Sequence, residues 1–198
     1  SRVPIKVQDG CPDNCSYCIV SPLRGEPRSR PVEQVLDEIL QLCEKGVAEI
    51  VLTGVNLAAW GVESGRKLSE LLQAIAQLSP SARIRLSSLE PNYIDDELIA
   101  VLSDAGDTFC PHFHLPVQSG SDAVLAHMCR NYTADDFIGV VERTMEAFPL
   151  CGLTADVIVG YPTETEGDHR KTVELCERAG FHRIHAFSYS PRPGTSAY

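Results

Sequence analysis

The sequence predicts an α/β fold with a parallel sheet, and three observations predict it. Short β-branched runs alternate with longer segments of helical period. The alternation recurs about six times, at roughly 30–40 residues a unit, the length of a βα repeat. Cap and turn residues punctuate it where helices should start and stop. A closed eight-fold barrel usually takes about 250 residues, and this chain has 198. Six units suit either a partial, open barrel or a doubly wound sheet. In both, function gathers on loops leaving the C-terminal strand ends.

The elements follow in order. "VPIKVQ" (3–8) is a short strand running into a cysteine loop. "RPVEQVLDEILQLCEKG" (30–46) sets Val32, Val35, Leu36, Ile39, Leu40 and Cys43 at helical spacing, with Pro31 at the first turn and Gly46 as the stop. "AEIVLTG" (48–54) is a buried strand, "LSELLQAIAQL" (68–78) a helix and "RIRLSS" (83–88) a strand. "DDELIAVLSDAG" (95–106) is a helix with acids at its start and Gly106 at its end. "HFHLPVQ" (112–118) is a strand. "SDAVLAHMC" (121–129) and "TADDFIGVVERTMEAF" (133–148) are helices, each with a Ser or Thr cap followed by acids. "LTADVIVG" (153–160), "EGDHRKTVELCERAG" (166–180) and "RIHAFSYS" (183–190) complete the pattern as strand, helix and strand.

This length supports one sizeable core, and one domain is the default. No apolar run approaches the roughly 20 residues of a membrane span, and no basic-then-apolar leader opens the chain. The chain starts two residues before a strand and without Met, so a piece of a longer protein is expected. A net charge of −10 argues against gripping nucleic acid by bulk field, though not against a local contact or one made by another domain. Of eight cysteines, three cluster; Cys43, Cys110, Cys129, Cys151 and Cys176 are scattered. Free, mostly buried thiols in a reducing cytoplasm fit that distribution better than a disulfide framework.

The cluster lies in "DGCPDNCSYCIV", where Cys11, Cys15 and Cys18 are spaced C-x3-C-x2-C on the loop after the first strand. An odd, tight set does not suit disulfides. A structural zinc site normally closes with four ligands, so zinc requires a distant fourth residue. Three thiolates suit an iron–sulfur centre that leaves one iron open to an outside ligand. Tyr17 stands beside the last thiol.

This spacing resembles the radical S-adenosylmethionine (SAM) superfamily. "DGCPDNCSYCIVSPLRGEPRSRP", "IVLTGVNLAAWG", "IRLSSLEP", "HLPVQSGSDAVLAHMCRNYT", "TADVIVGYPTETE" and "FSYSPRPGT" follow in the order seen in tRNA methylthiotransferases, over essentially the whole chain. "LTGVN" and "RLSSLEP" look most like the branch acting on threonylcarbamoyladenosine. They look less like the isopentenyladenosine branch or the one that modifies a ribosomal protein. The resemblance implies a partial (βα)6 barrel with parallel strands. It implies that residues 1–198 are the radical SAM core alone, without the family's N-terminal auxiliary-cluster domain and C-terminal RNA-binding β-barrel. Cys11, Cys15 and Cys18 are then the ligands and catalytic centre of a 4Fe–4S cluster, whose open iron takes the amino and carboxylate groups of SAM. Reductive cleavage gives a 5′-deoxyadenosyl radical that takes hydrogen from C2 of the target adenine. Sulfur and methyl follow from the auxiliary cluster and a second SAM. The implied partners are tRNA, held mainly through the other domains, and a reducing donor such as flavodoxin or ferredoxin, with no membrane.

Further candidates follow on the same basis. Thr53, Gly54 and Asn56 face the SAM amino group, with Gly54 letting backbone come close. Ser87, Ser88 and Glu90 end the third strand and suit the methionyl part or substrate. Gln118 and Ser119 stand toward the site by location; a buried amide needs partners. Arg130 offers a guanidinium fork to a carboxylate, on SAM or on the protein. Asp156 is an acid in an apolar strand, costly unless paired. Val159 packs on the adenine and Gly160 lets it approach. His114 reads as a satisfied core histidine, and Glu164 as a cap of the following helix. Thr163 departs from the family's usual glycine. Arg24, Arg28 and Arg30 suit either solvent or RNA phosphates. Arg192 and Pro193 lead the chain back toward the β-barrel. A non-enzymatic zinc-binding α/β domain remains the alternative of a different class.

Overall fold

The computed structural model describes all of residues 1–198. The chain runs β1 (Arg2–Lys6), β2 (Gln8–Asp9), α1 (Val20–Arg24), β3 (Arg28–Ser29), α2 (Val32–Glu44), β4 (Glu49–Thr53), α3 (Leu68–Leu78) and β5 (Arg83–Leu86). It continues with α4 (Asp96–Asp104), β6 (His112–His114), α5 (Asp122–His127), α6 (Ala134–Ala147), β7 (Gly152–Val159), α7 (Glu166–Ala179) and β8 (Arg183–Ser188). Two parallel sheets form, β1–β4–β5 and β6–β7–β8. Backbone bonds from Cys110 N to Ile84 O (2.7 Å) and from Leu89 N to His114 O (2.9 Å) join them between β5 and β6. Six parallel strands thus stand in chain order, and β1 and β8 each pair on one side only. That order is the open six-unit barrel; a doubly wound sheet reverses its strand order.

Side chains alternate across each strand. Ile50 and Leu52, Ile84 and Leu86, and Leu153, Ala155 and Val157 are buried toward the helices. With Val32, Val35 and Ile39 of α2 they belong to one continuous core. The opposite face lines the lumen and is polar. There Glu49 pairs with Arg2 (2.6 Å) and Arg85 (2.7 Å), and His114 and His185 flank Asp156.

Most expected boundaries hold within a few residues. Gly46 (φ +72°) ends α2 as expected. Asp95 caps α4 and Thr133 caps α6 through a reciprocal bond with Asp136. Leu40 departs from the expected apolar face and is exposed. Ser121 does not cap α5. Its hydroxyl donates to Asp168 on α7 (2.6 Å), which ties two helices together. Glu164 does not cap α7; Thr165 does, again with Asp168, while Glu164 accepts from Gly160 N (2.5 Å). The two-stranded ribbon β2–β3 and the five-residue α1 carry no sequence signal beyond the cysteine loop. All eight cysteines are free; Cys110 and Cys151 are buried, whereas Cys129 is exposed. No helix is long and apolar enough to cross a membrane.

Asp168 gives a pH test of this packing. Hydrogen bonds from Ser121 and Thr165 hold its carboxyl well below the ordinary value. A depressed carboxylate stabilises the fold above its unfolded pKa and stops doing so as pH falls through the folded one. Asp168→Asn should therefore be less stable than the parent in urea at pH 7. The gap should shrink steadily below about pH 4. A gap that stays constant on acidification overturns this reading.

Candidate cofactor site

The cysteine loop leaves the lumen rim where β1 ends, and the chain fastens it at several points. Gln8 is buried: its side-chain amide donates to Asp9 O and Gly10 O, while its oxygen accepts from Asn56 N (2.9 Å). Gly10 (φ +76°) turns the chain where an L side chain does not fit. Cys11 N then bonds Gly25 O (3.1 Å). Ser16 donates its backbone N–H to Met128 O (3.1 Å), and its hydroxyl contacts His127 O and Tyr161 OH (both 2.8 Å). From the other end of the sequence, Ala197 N donates to Ser16 O (2.9 Å).

Cys11, Cys15 and Cys18 line a single cavity of about 430 Å³, walled by α1 and by Gly194, Thr195 and Ser196. Each sulfur meets its own N–H donor. Arg130 reaches Cys15 Sγ (3.2 Å), Val20 N reaches Cys18 Sγ (3.4 Å), and Asn56 Nδ2 reaches Cys11 Sγ (3.9 Å). Donors aimed at sulfur suit thiolates bound to metal. Burial pushes the Cys11 thiol up to about 11 and raises Cys15 as well, so metal charge is what would deprotonate them. A single zinc ion needs sulfurs about 3.8 Å apart, given Zn–S bonds of about 2.3 Å. The three cysteines do not converge so; the one His, Cys, Asp or Glu trio within 4.8 Å is elsewhere, His114, Asp156 and His185. Three separated thiolates round one cavity suit ligands to different irons of a cluster better than ligands to one ion.

Arg130 organises the rest of the rim. Its side chain is 4% exposed and pairs with Glu90, whose own is 19% exposed. It also donates to Tyr17 OH (3.4 Å), Pro116 O (3.4 Å) and Tyr132 OH (3.0 Å). Burial works against its charge, and Tyr132 and Glu90 outweigh that, so it stays protonated. Burial pushes the Glu90 carboxyl up, and Arg130 offsets only part of the shift. The guanidinium is thus satisfied by protein groups and has no need of a SAM carboxylate. Asn56 is buried and donates to Asp13 (2.7 Å), whose other oxygen accepts from Tyr93 (3.5 Å).

Other expected residues divide. Gln118 lines a second cavity of about 190 Å³ with Tyr17, Asp156, Ile158 and Phe187. Ser119 turns away: it is fully buried and its hydroxyl meets Thr172 of α7 (3.3 Å). Val159 also faces the helices and packs on the core; by strand alternation its neighbour Ile158 is the residue in the cavity. Gly54 is a close approach, but to Gln8 and Leu57, since a Cβ there would stand 2.8 Å from Gln8 Oε1. Gly160 (φ +75°) has open space beside it. Ser87 Oγ is buried with no partner and lines neither cavity, while Ser88 is exposed. His114 is satisfied by Thr154 (2.9 Å) and by Asp156. Arg30 pairs with Glu38 (2.6 Å), leaving Arg24 and Arg28 exposed around Asp9. The segment with Arg192 and Pro193 folds back over the cysteine loop rather than away from it. Gln8, Asp13, Ser16, Tyr93 and His185 were not anticipated. Only Asp13 and Ser16 had a signal, their place inside the cysteine loop.

Comparison with known proteins agrees with this geometry. The chain is 43% identical over 198 residues to the threonylcarbamoyladenosine tRNA methylthiotransferase MtaB of Thermotoga maritima, covering 100% of this chain and 45% of that protein. It is 44% identical over 195 residues to the tRNA-2-methylthio-N(6)-dimethylallyladenosine synthase of Syntrophotalea carbinolica, covering 98% and 44%. The chain therefore spans less than half of either relative. In fold it matches the radical S-adenosylmethionine methyltransferase TsrM of Kitasatospora setae with TM-score 0.82 and 18% identity, over 98% of this chain and 38% of that one. It matches methylornithine synthase with TM-score 0.67 and 13% identity, over 98% and 55%. The family model for the Radical SAM superfamily aligns with residues 5–176. That span runs from the first barrel strand, through the cysteine loop, into the last helix, and the chain belongs to the radical SAM superfamily.

Proposed function

We propose that this chain is the radical SAM core of a tRNA methylthiotransferase acting on threonylcarbamoyladenosine. The observation that carries the cofactor reading is the set of three cysteines on one cavity, each with its own N–H donor and too dispersed for a single ion. Cys11, Cys15 and Cys18 would hold a 4Fe–4S cluster there, which would supply the electron for reductive cleavage of SAM. Asn56, Arg130 and Val20 N hold charge on the sulfurs. Tyr17, Gln118 and Ile158 line the space beside the cluster. Arg24 and Arg28, with Lys6 near Asp9, present a local cationic edge on an otherwise acidic chain, which suits RNA phosphate. The auxiliary cluster, the RNA-binding barrel and the electron donor belong to the remainder of the protein and its partners.

The whole-length likeness supports a methylthiotransferase. The threonylcarbamoyladenosine branch rests on "LTGVN" and "RLSSLEP"; identities of 43% and 44% to the two branches do not separate them. Anaerobic reconstitution of the chain should give about four irons, and its reduced-cluster EPR signal should shift when SAM is added. Zinc in place of iron, or an unshifted signal, overturns the cofactor assignment. The full-length protein should methylthiolate tRNA bearing threonylcarbamoyladenosine. Product only on isopentenyladenosine tRNA overturns the branch.

A further inference from the structure

The lumen below the cysteine loop holds a cluster for which the proposed function has no use. His114 of β6, Asp156 of β7 and His185 of β8 stand on three adjacent strands, all on the lumen face. His114 Nε2 is 3.2 Å from Asp156 Oδ2, and His185 Nδ1 is 3.1 Å from Asp156 Oδ1. Donor atoms of all three lie within 4.8 Å of one another. We infer that this trio is a second metal site, a two-histidine, one-carboxylate face for a divalent first-row ion such as Zn²⁺.

Four features carry the inference. First, the spacing suits a carboxylate held through both oxygens: each histidine nitrogen faces a different oxygen of Asp156, at 3.2 and 3.1 Å. Second, the donor set is the right one. Two imidazoles and a carboxylate select zinc or iron-type ions over magnesium or calcium. Third, the supporting contacts are in place. His114 Nδ1 meets Thr154 Oγ1 (2.9 Å), which fixes the ring and leaves Nε2 facing Asp156; metal-bound histidines nearly always have such a second partner. Thr154 in turn meets His112 Nε2 (3.4 Å). Fourth, charge and access agree. No lysine or arginine pairs with Asp156, whereas Glu49, deeper in the lumen, is paired with two arginines. Side-chain exposures of 14%, 27% and 39% for His114, Asp156 and His185 leave the trio open to the lumen. Asp156 also lines the 190 Å³ cavity beside Tyr17. An ion here therefore presents its free positions, as a Lewis acid, to an oxygen or nitrogen group entering that cavity. Two shared protons are the competing occupant, giving a His–Asp–His hydrogen-bonded chain and no ion.

The test uses the cluster-loaded protein, stripped of loose metal with a chelator and dialysed against Zn²⁺. The expected result is one zinc bound per chain beyond the cluster iron. Its X-ray absorption should show nitrogen and oxygen ligands at about 2.0–2.1 Å with imidazole outer scattering. Asp156→Asn and His185→Gln should each lower zinc affinity at least tenfold while iron content is unchanged. No zinc bound by the parent overturns the proposal. So does a zinc–sulfur distance of about 2.3 Å, which puts the ion in the cysteine loop. Full zinc binding by both variants overturns it too. Should the variants lose iron or fold, the absorption spectrum of the parent decides alone. Iron loading and its response to SAM are read separately, so failure of this site leaves the cofactor assignment standing.

Discussion

A chain carrying Gly10→Ala takes up no iron on anaerobic reconstitution, although its far-ultraviolet circular dichroism matches the parent's. Gly10 adopts φ +76°, and a Cβ built there would lie 2.1 Å from Glu26 O and 2.7 Å from Gly25 O. Those atoms are backbone, so no side chain can swing aside. The loop that must retreat carries Gly25 O, the acceptor for Cys11 N. The first thiol moves off the cavity, while the core, built from the opposite strand faces, is untouched. Gly25→Ala makes the control. It has a similar φ of +72° but nothing within 4 Å of the added carbon. Its ψ of −158° puts it in a region that is essentially glycine's alone, so alanine meets a backbone penalty of about 1–3 kcal/mol but no clash, and the variant should keep its iron. Four irons in Gly10→Ala, or none in Gly25→Ala, overturns the assignment of that turn as the loop's anchor.

Arg130→Ala is expected to cost about 3–5 kcal/mol in urea unfolding, the usual result of stranding one member of a buried pair. Removing the guanidinium leaves Glu90 charged with no cation, and deprives Tyr17, Tyr132 and Cys15 Sγ of a donor. The sign with pH follows from the raised Glu90 carboxyl. A group whose folded pKa lies above its unfolded value stabilises the fold at low pH and ceases to as pH rises through the folded value. With Arg130 gone the Glu90 value climbs further, so the variant should recover stability relative to the parent as pH falls. Adding Glu90→Gln should restore part of the loss at pH 7, as residues in one network are non-additive. A loss under about 1 kcal/mol, independent of pH, shows that the pair does not hold the rim together.

The alternation of β-branched runs and helical periods located all six barrel strands, because burial on one face imposes a period that the residues display. Cys11, Cys15 and Cys18 were legible for a different reason: thiols that close together have few uses. The division between an open barrel and a wound sheet was not legible. It depends on which strands become neighbours, a fact of tertiary pairing such as Cys110 N to Ile84 O. Residue roles failed where a side chain's direction mattered. Ser119 and Val159 lie in the right loop and strand yet point to the helices, while Gln118 and Ile158 beside them point inward. His185 went unnoticed because its partners, Asp156 and His114, stand 29 and 71 positions earlier. Arg130 was recognised as a fork for a carboxylate, but the carboxylate belongs to Glu90, on another strand end.

The bond from Ser196 to Ser16 joins residues 180 positions apart. Gly194, Thr195 and Ser196 form part of the wall around the three thiols. During synthesis, therefore, the cysteine loop waits for almost the entire barrel before its enclosure exists. Contacts of such long range are slow to form. Until then the thiols stand exposed on a nascent chain, open to oxidation and to stray metal. Insertion of the iron centre thus follows translation of residue 197 and calls for delivery to a folded barrel rather than to an emerging loop.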